Sequence, residues 1–168
     1  NMNKEKNIVL IGMPGSGKTT FGKAVAQQLQ RPFYDADDVV VELEGKTIKD
    51  MFAVSEDYFR DAESRAVKVL AEKTGIVIAC GGGVVKRQSN IKTLRKTGTI
   101  IFIDRKPEAI IADVDADSRP LLATGRQKIY DLYAERIALY REAADYTIAN
   151  DTASADVVSK LIHMIETW

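Results

Sequence analysis

The segment Gly12-Met13-Pro14-Gly15-Ser16-Gly17-Lys18-Thr19 constrains this chain more than any other. It follows a short apolar run at 8–11 and opens a stretch of helical spacing at 18–29, where Phe21, Val25, Ala26 and Leu29 share one stripe. A glycine-rich turn between a buried strand and a helix aims successive backbone N–H groups at an anion, and the helix N-terminus adds partial positive charge. In the pattern G-x-x-x-x-G-K-[ST] the lysine reaches the β- and γ-phosphates and the next hydroxyl holds Mg2+. Gly12, Pro14, Gly15, Ser16, Gly17, Lys18, Thr19 and Thr20 are therefore the expected nucleotide-binding residues. Lys18 has an expected catalytic role, and Thr19 is an expected metal ligand. The implied ligand is a nucleoside triphosphate with Mg2+.

The rest of the chain repeats the strand-then-helix order. Nearly continuous apolar runs at 33–35, 76–79, 100–103 and 146–148 read as further buried parallel strands. Helical stripes run through 56–73, 129–144 and 155–167. This alternation predicts an α/β domain with a three-layer α/β/α arrangement around a central five-stranded parallel sheet. Residues 1–168 read as a single domain, in line with a chain of this length. Ligands of such sheets bind beyond the carboxyl ends of the strands, so functional residues should fall just after strands.

Composition narrows the partners. There are 24 Lys+Arg against 24 Asp+Glu, a formal net charge of +0, which argues against a nucleic-acid binder. One Cys and one His exclude a disulfide framework and argue against a Cys/His zinc site. No apolar run reaches the roughly 18–20 residues of a membrane span, and the polar residues 1–7 form no signal-peptide core. The expectation is a cytoplasmic monomer that meets neither membrane nor nucleic acid, with functional charge concentrated locally.

Asp35 and Asp37 end the second strand run. Two apart on a strand, they share a face and point together at the carboxyl edge of the sheet. One carboxylate suits the metal shell and the other a substrate hydroxyl. The same residue types also serve turns and helix caps. Two arginines interrupt apolar stripes: Arg60, beside Phe59, and Arg136, between Tyr133 and Ile137. Guanidinium forks match carboxylates bidentately. The plainer readings are an i,i+3 pair of Arg60 with Glu63 and a snorkelling Arg136. Phe52 and Phe59 fit a substrate wall or a core equally well. Gly81-Gly82-Gly83 follows the third strand run, where three glycines suggest close backbone approach.

The ordered set G-x-x-x-x-G-K-T, D-x-D, F-R-x-x-E, G-G-G, R-P-L-L and R-x-x-L-Y resembles the shikimate kinase family over about 7–165. The resemblance implies a P-loop kinase fold. It also implies transfer of the ATP γ-phosphoryl group to the 3-hydroxyl of shikimate, giving shikimate 3-phosphate and ADP on the way to chorismate and the aromatic amino acids. By resemblance, Asp35 lies near the metal, and Asp37 binds shikimate hydroxyls and acts as base. Arg60, Glu63, Gly81, Gly82, Gly83 and Arg136 hold shikimate. Arg119 of Arg119-Pro120-Leu121-Leu122 is the lid arginine, with catalytic and nucleotide-binding roles, in an irregular lid at about 115–128.

The chain departs from the family at three places. A basic residue that stacks on adenine is expected about seven positions before Arg119. Ala112 stands there, followed by Asp113, Asp115 and Asp117, read as a solvated loop. The loop 150–154 lacks the family's proline. Ala138 replaces a proline in R-x-P-L-Y and favours helix continuity. Losing a cation–π contact forfeits roughly 0.5–2 kcal/mol, so the expectation is weak ATP binding and poor discrimination against GTP. Cys80 reads as a small buried hydrophobe, His163 has no assigned role, and Trp168 reads as a frayed end.

Overall fold

The computed structural model describes residues 3–116 and 121–168. Five strands, β1 (Asn7–Ile11), β2 (Phe33–Asp35), β3 (Val77–Ala79), β4 (Gly98–Asp104) and β5 (Tyr146–Ala149), form one parallel sheet in the order β2-β3-β1-β4-β5. All five strand expectations hold. The helices among the described residues are α1 (Lys18–Leu29), α2 (Ala36–Glu44), α3 (Ile48–Val54), α4 (Glu56–Ala71), α5 (Gln88–Thr97), α6 (Pro107–Ala116), α7 (Ala123–Ala143) and α8 (Ser154–Glu166).

The central strand β1 explains the layering. Its side chains alternate, so Ile8 and Leu10 face one side and Val9 and Ile11 the other. On the first side they pack with Phe21 and Val25 of α1 and with Val157, Leu161 and Ile165 of α8. On the second they pack with Val67 and Leu70 of α4, Leu94 of α5 and Tyr140 of α7. Both faces are covered, which is why the strands read as unbroken apolar runs. A smaller cluster, Val40, Met51, Phe59, Ala62 and Ala66, joins α2 and α3 to α4 at the β2 edge.

Four sequence expectations are corrected. Asp37 is not on β2: the strand stops at Asp35, whose Oδ1 accepts the Asp37 N–H at 2.9 Å as the N-cap of α2. Asp113 and Asp115 are not in a loop, because α6 runs to Ala116; Asp117 lies outside the described residues. The stretch 115–128 is not irregular throughout, because α7 begins at Ala123. Asp115 ties these two helices, accepting the Leu121 N–H at 2.7 Å and pairing with Arg126 at 3.2 Å. Trp168 is not frayed: its ring stacks on Tyr146, centroids 5.5 Å apart.

Candidate active site

The carboxyl ends of β1, β2 and β3 open into a crevice of about 450 Å³, lined by Pro14–Thr20, Asp35, Asp37, Cys80, Gly81, Gly82, Arg105 and Asp113. A larger hollow of about 760 Å³ lies elsewhere, between α5 and α7, with Val85, Ile91, Leu139 and Ala143 among its walls. It gathers no set of reactive groups, so the chemistry belongs to the smaller crevice.

The turn from β1 to α1 is the predicted phosphate loop. Gly12 (φ 152°) and Gly17 (φ 107°) take backbone conformations that side chains disfavour. A Cβ on Gly12 would stand 2.6 Å from the Ile103 carbonyl, and one on Gly17 would stand 2.6 Å from the Phe21 ring. The loop is pinned by the Asn150 amide, which donates to the Ser16 carbonyl at 2.9 Å. Lys18 is buried, and its Nζ donates to the carbonyls of Gly12 (2.6 Å) and Met13 (2.9 Å). Burial pushes its pKa down to about 8, against the attraction of Asp37 and Asp35.

Next to the loop, the Thr19 hydroxyl donates to Asp35 Oδ2 at 3.1 Å. Asp35 thus uses one oxygen to cap α2 and the other to meet α1. Asp37, in the first turn of α2, faces the same crevice. Burial, with Asp35 beside it, raises the Asp37 carboxyl above the ordinary carboxylate range, and Lys18 opposes this. Among the described residues no three His, Cys, Asp or Glu groups cluster as a metal cage. A hydroxyl and one carboxylate beside a phosphate loop nevertheless suit Mg2+, which takes most of its ligands from water and phosphate.

The glycine triplet explains how the second half of the site is built. A Cβ on Gly81 would lie 2.9 Å from Asp37 Oδ1 and 3.1 Å from Glu63 Oε2. One on Gly82 would lie 2.8 Å from Pro14 and 3.3 Å from an Arg136 nitrogen, and one on Gly83 would lie 2.5 Å from Arg60 Nη2. Each glycine therefore leaves room for a different functional side chain. Arg60 and Glu63 pair on α4, Nη1 to Oε1 at 2.9 Å, and Glu63 is 1% exposed. Burial raises the Glu63 carboxyl, while the Arg60 hydrogen bond pulls it down. The Arg60 guanidinium also lies 5.1 Å from the Phe59 ring and 5.9 Å from Phe52, two rings that stack at 4.6 Å. Phe59 is core and Phe52 is 43% exposed. Arg136, on α7, is buried rather than snorkelling, and its Nε finds no partner among the described residues.

Lys18, Thr19, Asp35, Asp37, Arg60, Glu63, Gly81–83 and Arg136 thus converge from α1, β2, α2, α4, α7 and the turn after β3. Arg119 lies outside the described residues. Cys80 is buried as expected, and burial pushes its thiol well up, leaving it inert. Sequence reasoning missed Arg105, Asn150 and Tyr140. The first two directly follow β4 and β5, where residues after strands should have drawn notice. Tyr140 closes the R-x-x-L-Y motif, and its hydroxyl donates to the Gly82 carbonyl at 2.6 Å, a contact that the motif alone does not reveal.

A family model described as shikimate kinase matches residues 14–166. A shikimate kinase of Clostridium botulinum is 44% identical over 161 residues, covering 96% of this chain and 98% of that protein. A shikimate kinase 1 of Citrobacter koseri is 40% identical over 171 residues, covering 98% and 99%. Among solved structures, a shikimate kinase from Acinetobacter baumannii in complex with shikimate superposes with a TM-score of 0.88 at 33% identity, covering 97% and 94%. A gluconokinase from Sinorhizobium meliloti shares the fold alone, with a TM-score of 0.64 at 15% identity.

Proposed function

The chain belongs to the shikimate kinase family, and we propose that its crevice carries out that family's reaction through the residues assembled above. The chain is a phosphotransferase that moves the γ-phosphoryl group of ATP to the 3-hydroxyl of shikimate, giving shikimate 3-phosphate and ADP. The observation that carries the division of labour is the glycine triplet. It sets a half-buried carboxylate, Asp37, and two buried arginines, Arg60 and Arg136, against one side of the phosphate loop.

Arg60 and Arg136 bind the shikimate carboxylate. Arg60 is held by Glu63 through Nη1 and by Glu56 through Nε, so its Nη2 is oriented before substrate arrives. Arg136 has a buried donor that a carboxylate would satisfy. Asp37 orients the 3-hydroxyl and takes its proton, and its raised pKa makes it a stronger base than an exposed aspartate. Phosphoryl transfer passes through a loose transition state, so positioning and charge stabilisation are the main tasks. Lys18 leaves the carbonyls of Gly12 and Met13 for the β- and γ-phosphates. Arg119 offsets charge on the moving group. Thr19 and Asp35 hold Mg2+, which when bound neutralises phosphate charge. The assigned positions that the structure describes gather around one five-stranded sheet, which supports a single-domain catalyst, and we take it to act as a monomer. Among the described residues no helix is long and apolar enough to cross a membrane. We place the reaction in the cytoplasm, where its co-substrate ATP is abundant.

A coupled ADP-release assay with shikimate, gluconate and nucleoside monophosphates tests the reading. Turnover with shikimate alone is expected. Turnover with gluconate or a nucleoside monophosphate, and none with shikimate, would overturn it.

A further inference from the structure

Arg105 follows β4 directly and reaches across the crevice rim to the phosphate loop. Its Nη1 donates to the Gly15 carbonyl at 3.0 Å and pairs with Asp113 Oδ2 at 2.6 Å. Both contacts use the same nitrogen. Among the described residues Nε and Nη2 have no hydrogen-bond partner, although the side chain is only 19% exposed. The guanidinium plane is therefore fixed from one corner, and its opposite edge remains available to a ligand. The α6 helix holds this arrangement over the loop: Ile110, one turn before Asp113, would stand 3.3 Å from a Cβ on Gly15.

The placement calls for a reason. Asp113 is a carboxylate on the wall of a crevice built for a polyanion. Alone it would repel the nucleotide. With Arg105 paired to it, it turns a flexible side chain into an oriented two-donor edge beside the loop's own N–H groups. Such an edge matches phosphate oxygens bidentately. We propose that Arg105 is a nucleotide-binding residue whose Nε–Nη2 edge takes oxygens of the phosphate chain, and that Asp113 is the residue that positions it. This rests on the reading of the crevice as an ATP site.

The test is direct titration of the full chain with ATP and, separately, with inorganic tripolyphosphate, both without shikimate. Arg105→Ala weakens both ligands by about tenfold, and Arg105→Lys, which keeps the charge but not the fork, falls between it and the unaltered chain. The KM for shikimate stays within about twofold in both variants. Asp113→Ala has opposite effects in two backgrounds: it weakens binding when Arg105 is present and recovers part of the loss when Arg105 is already alanine. The proposal is overturned if Arg105→Ala leaves ATP affinity unchanged. It is overturned if only ATP weakens, which would mean a base or ribose contact. It is also overturned if shikimate KM and ATP affinity deteriorate together, which would mean general damage to the loop. Tighter binding by Asp113→Ala in both backgrounds would reduce Asp113 to a repulsive charge and remove its positioning role. Titration without shikimate keeps this test separate from acceptor identity: a chain that binds ATP through Arg105 but phosphorylates another acceptor still supports it. No nucleotide binding by the unaltered chain would overturn the ATP reading and this proposal together.

Discussion

At the scale of single residues, the site is built from groups that cost stability when no ligand is present. Lys18 is the clearest case. Its pKa falls from 10.5 to about 8 because burial penalises the ammonium. Between those values the unfolded chain binds more protons than the folded one, so this group's contribution to stability rises with pH. Lys18→Met should abolish turnover yet raise the thermal midpoint at pH 7. The gap between the two proteins should narrow toward pH 10, as followed by thermal melts across pH. The same shift affects activity in the other direction: kcat/KM for ATP should fall as pH rises through about 8, because the free enzyme loses the Lys18 charge. On the acid side, raised Asp37 must ionise, so kcat should fall away at a pH above the ordinary carboxylate range. An acid limb at the value of an exposed aspartate would reject Asp37 as the base. The triplet makes a third residue-level case. Gly83→Ala would place a methyl where the Arg60 guanidinium lies. It should raise the KM for shikimate about tenfold while changing the KM for ATP little, a split visible in steady-state kinetics.

Among the elements, those with strong apolar periodicity were legible in sequence and those that bear on the site were less so. The strands and α1, α4, α7 and α8 follow from buried runs and stripes. The short helices α2 and α3 escaped notice, because Asp35-Ala36-Asp37 reads equally well as the end of a strand and the cap of a helix. Only the chain's turn at Asp35 separates the two aspartates into a cap beside Thr19 and a first-turn carboxylate facing the crevice. The α5 and α6 helices were hidden by polar or acidic residues on their outer faces. The α7 helix links two parts of the site through Tyr140, whose hydroxyl meets the Gly82 carbonyl while its ring stacks on Phe102 at 5.0 Å. Tyr140→Phe keeps the stacking and removes the hydrogen bond. It should destabilise the chain by about 1 kcal/mol, and by more if the buried carbonyl stays unpaired. Because Arg136 lies one turn before Tyr140, the KM for shikimate should rise as well. Denaturant unfolding and kinetics together check both effects.

Across the whole molecule, 24 basic and 24 acidic side chains cancel, but they are not evenly placed. Lys18, Arg60, Arg105 and Arg136 gather around one crevice, balanced nearby by Asp35, Asp37, Glu63 and Asp113. Ligand affinity thus comes from local charge within a neutral molecule. For the same reason Arg119→Ala should leave ATP and shikimate affinities close to those of the unaltered chain while kcat falls by about 10³ or more. Equilibrium titrations beside turnover measurements check this, and retained turnover would remove Arg119 from the catalytic set. The sequence by itself determined the sheet, the phosphate loop, the family and most of the residues that meet in the crevice. These depend on local chemistry: apolar periodicity buries strands, and a glycine-rich turn before a helix binds phosphate wherever it occurs. The tertiary structure alone decided which groups face each other. It moved Asp37 from strand to helix, buried Arg136 instead of letting it snorkel, and brought Arg105, Asn150 and Tyr140 into the site. The placements of Arg105, Asn150 and Tyr140 depend on contacts between residues 58 to 134 apart in the chain, such as Tyr140 with Gly82 and Asn150 with Ser16. A hydrogen bond across that separation leaves no periodic mark in the chain, because its partners are chosen by the packing of the sheet between them.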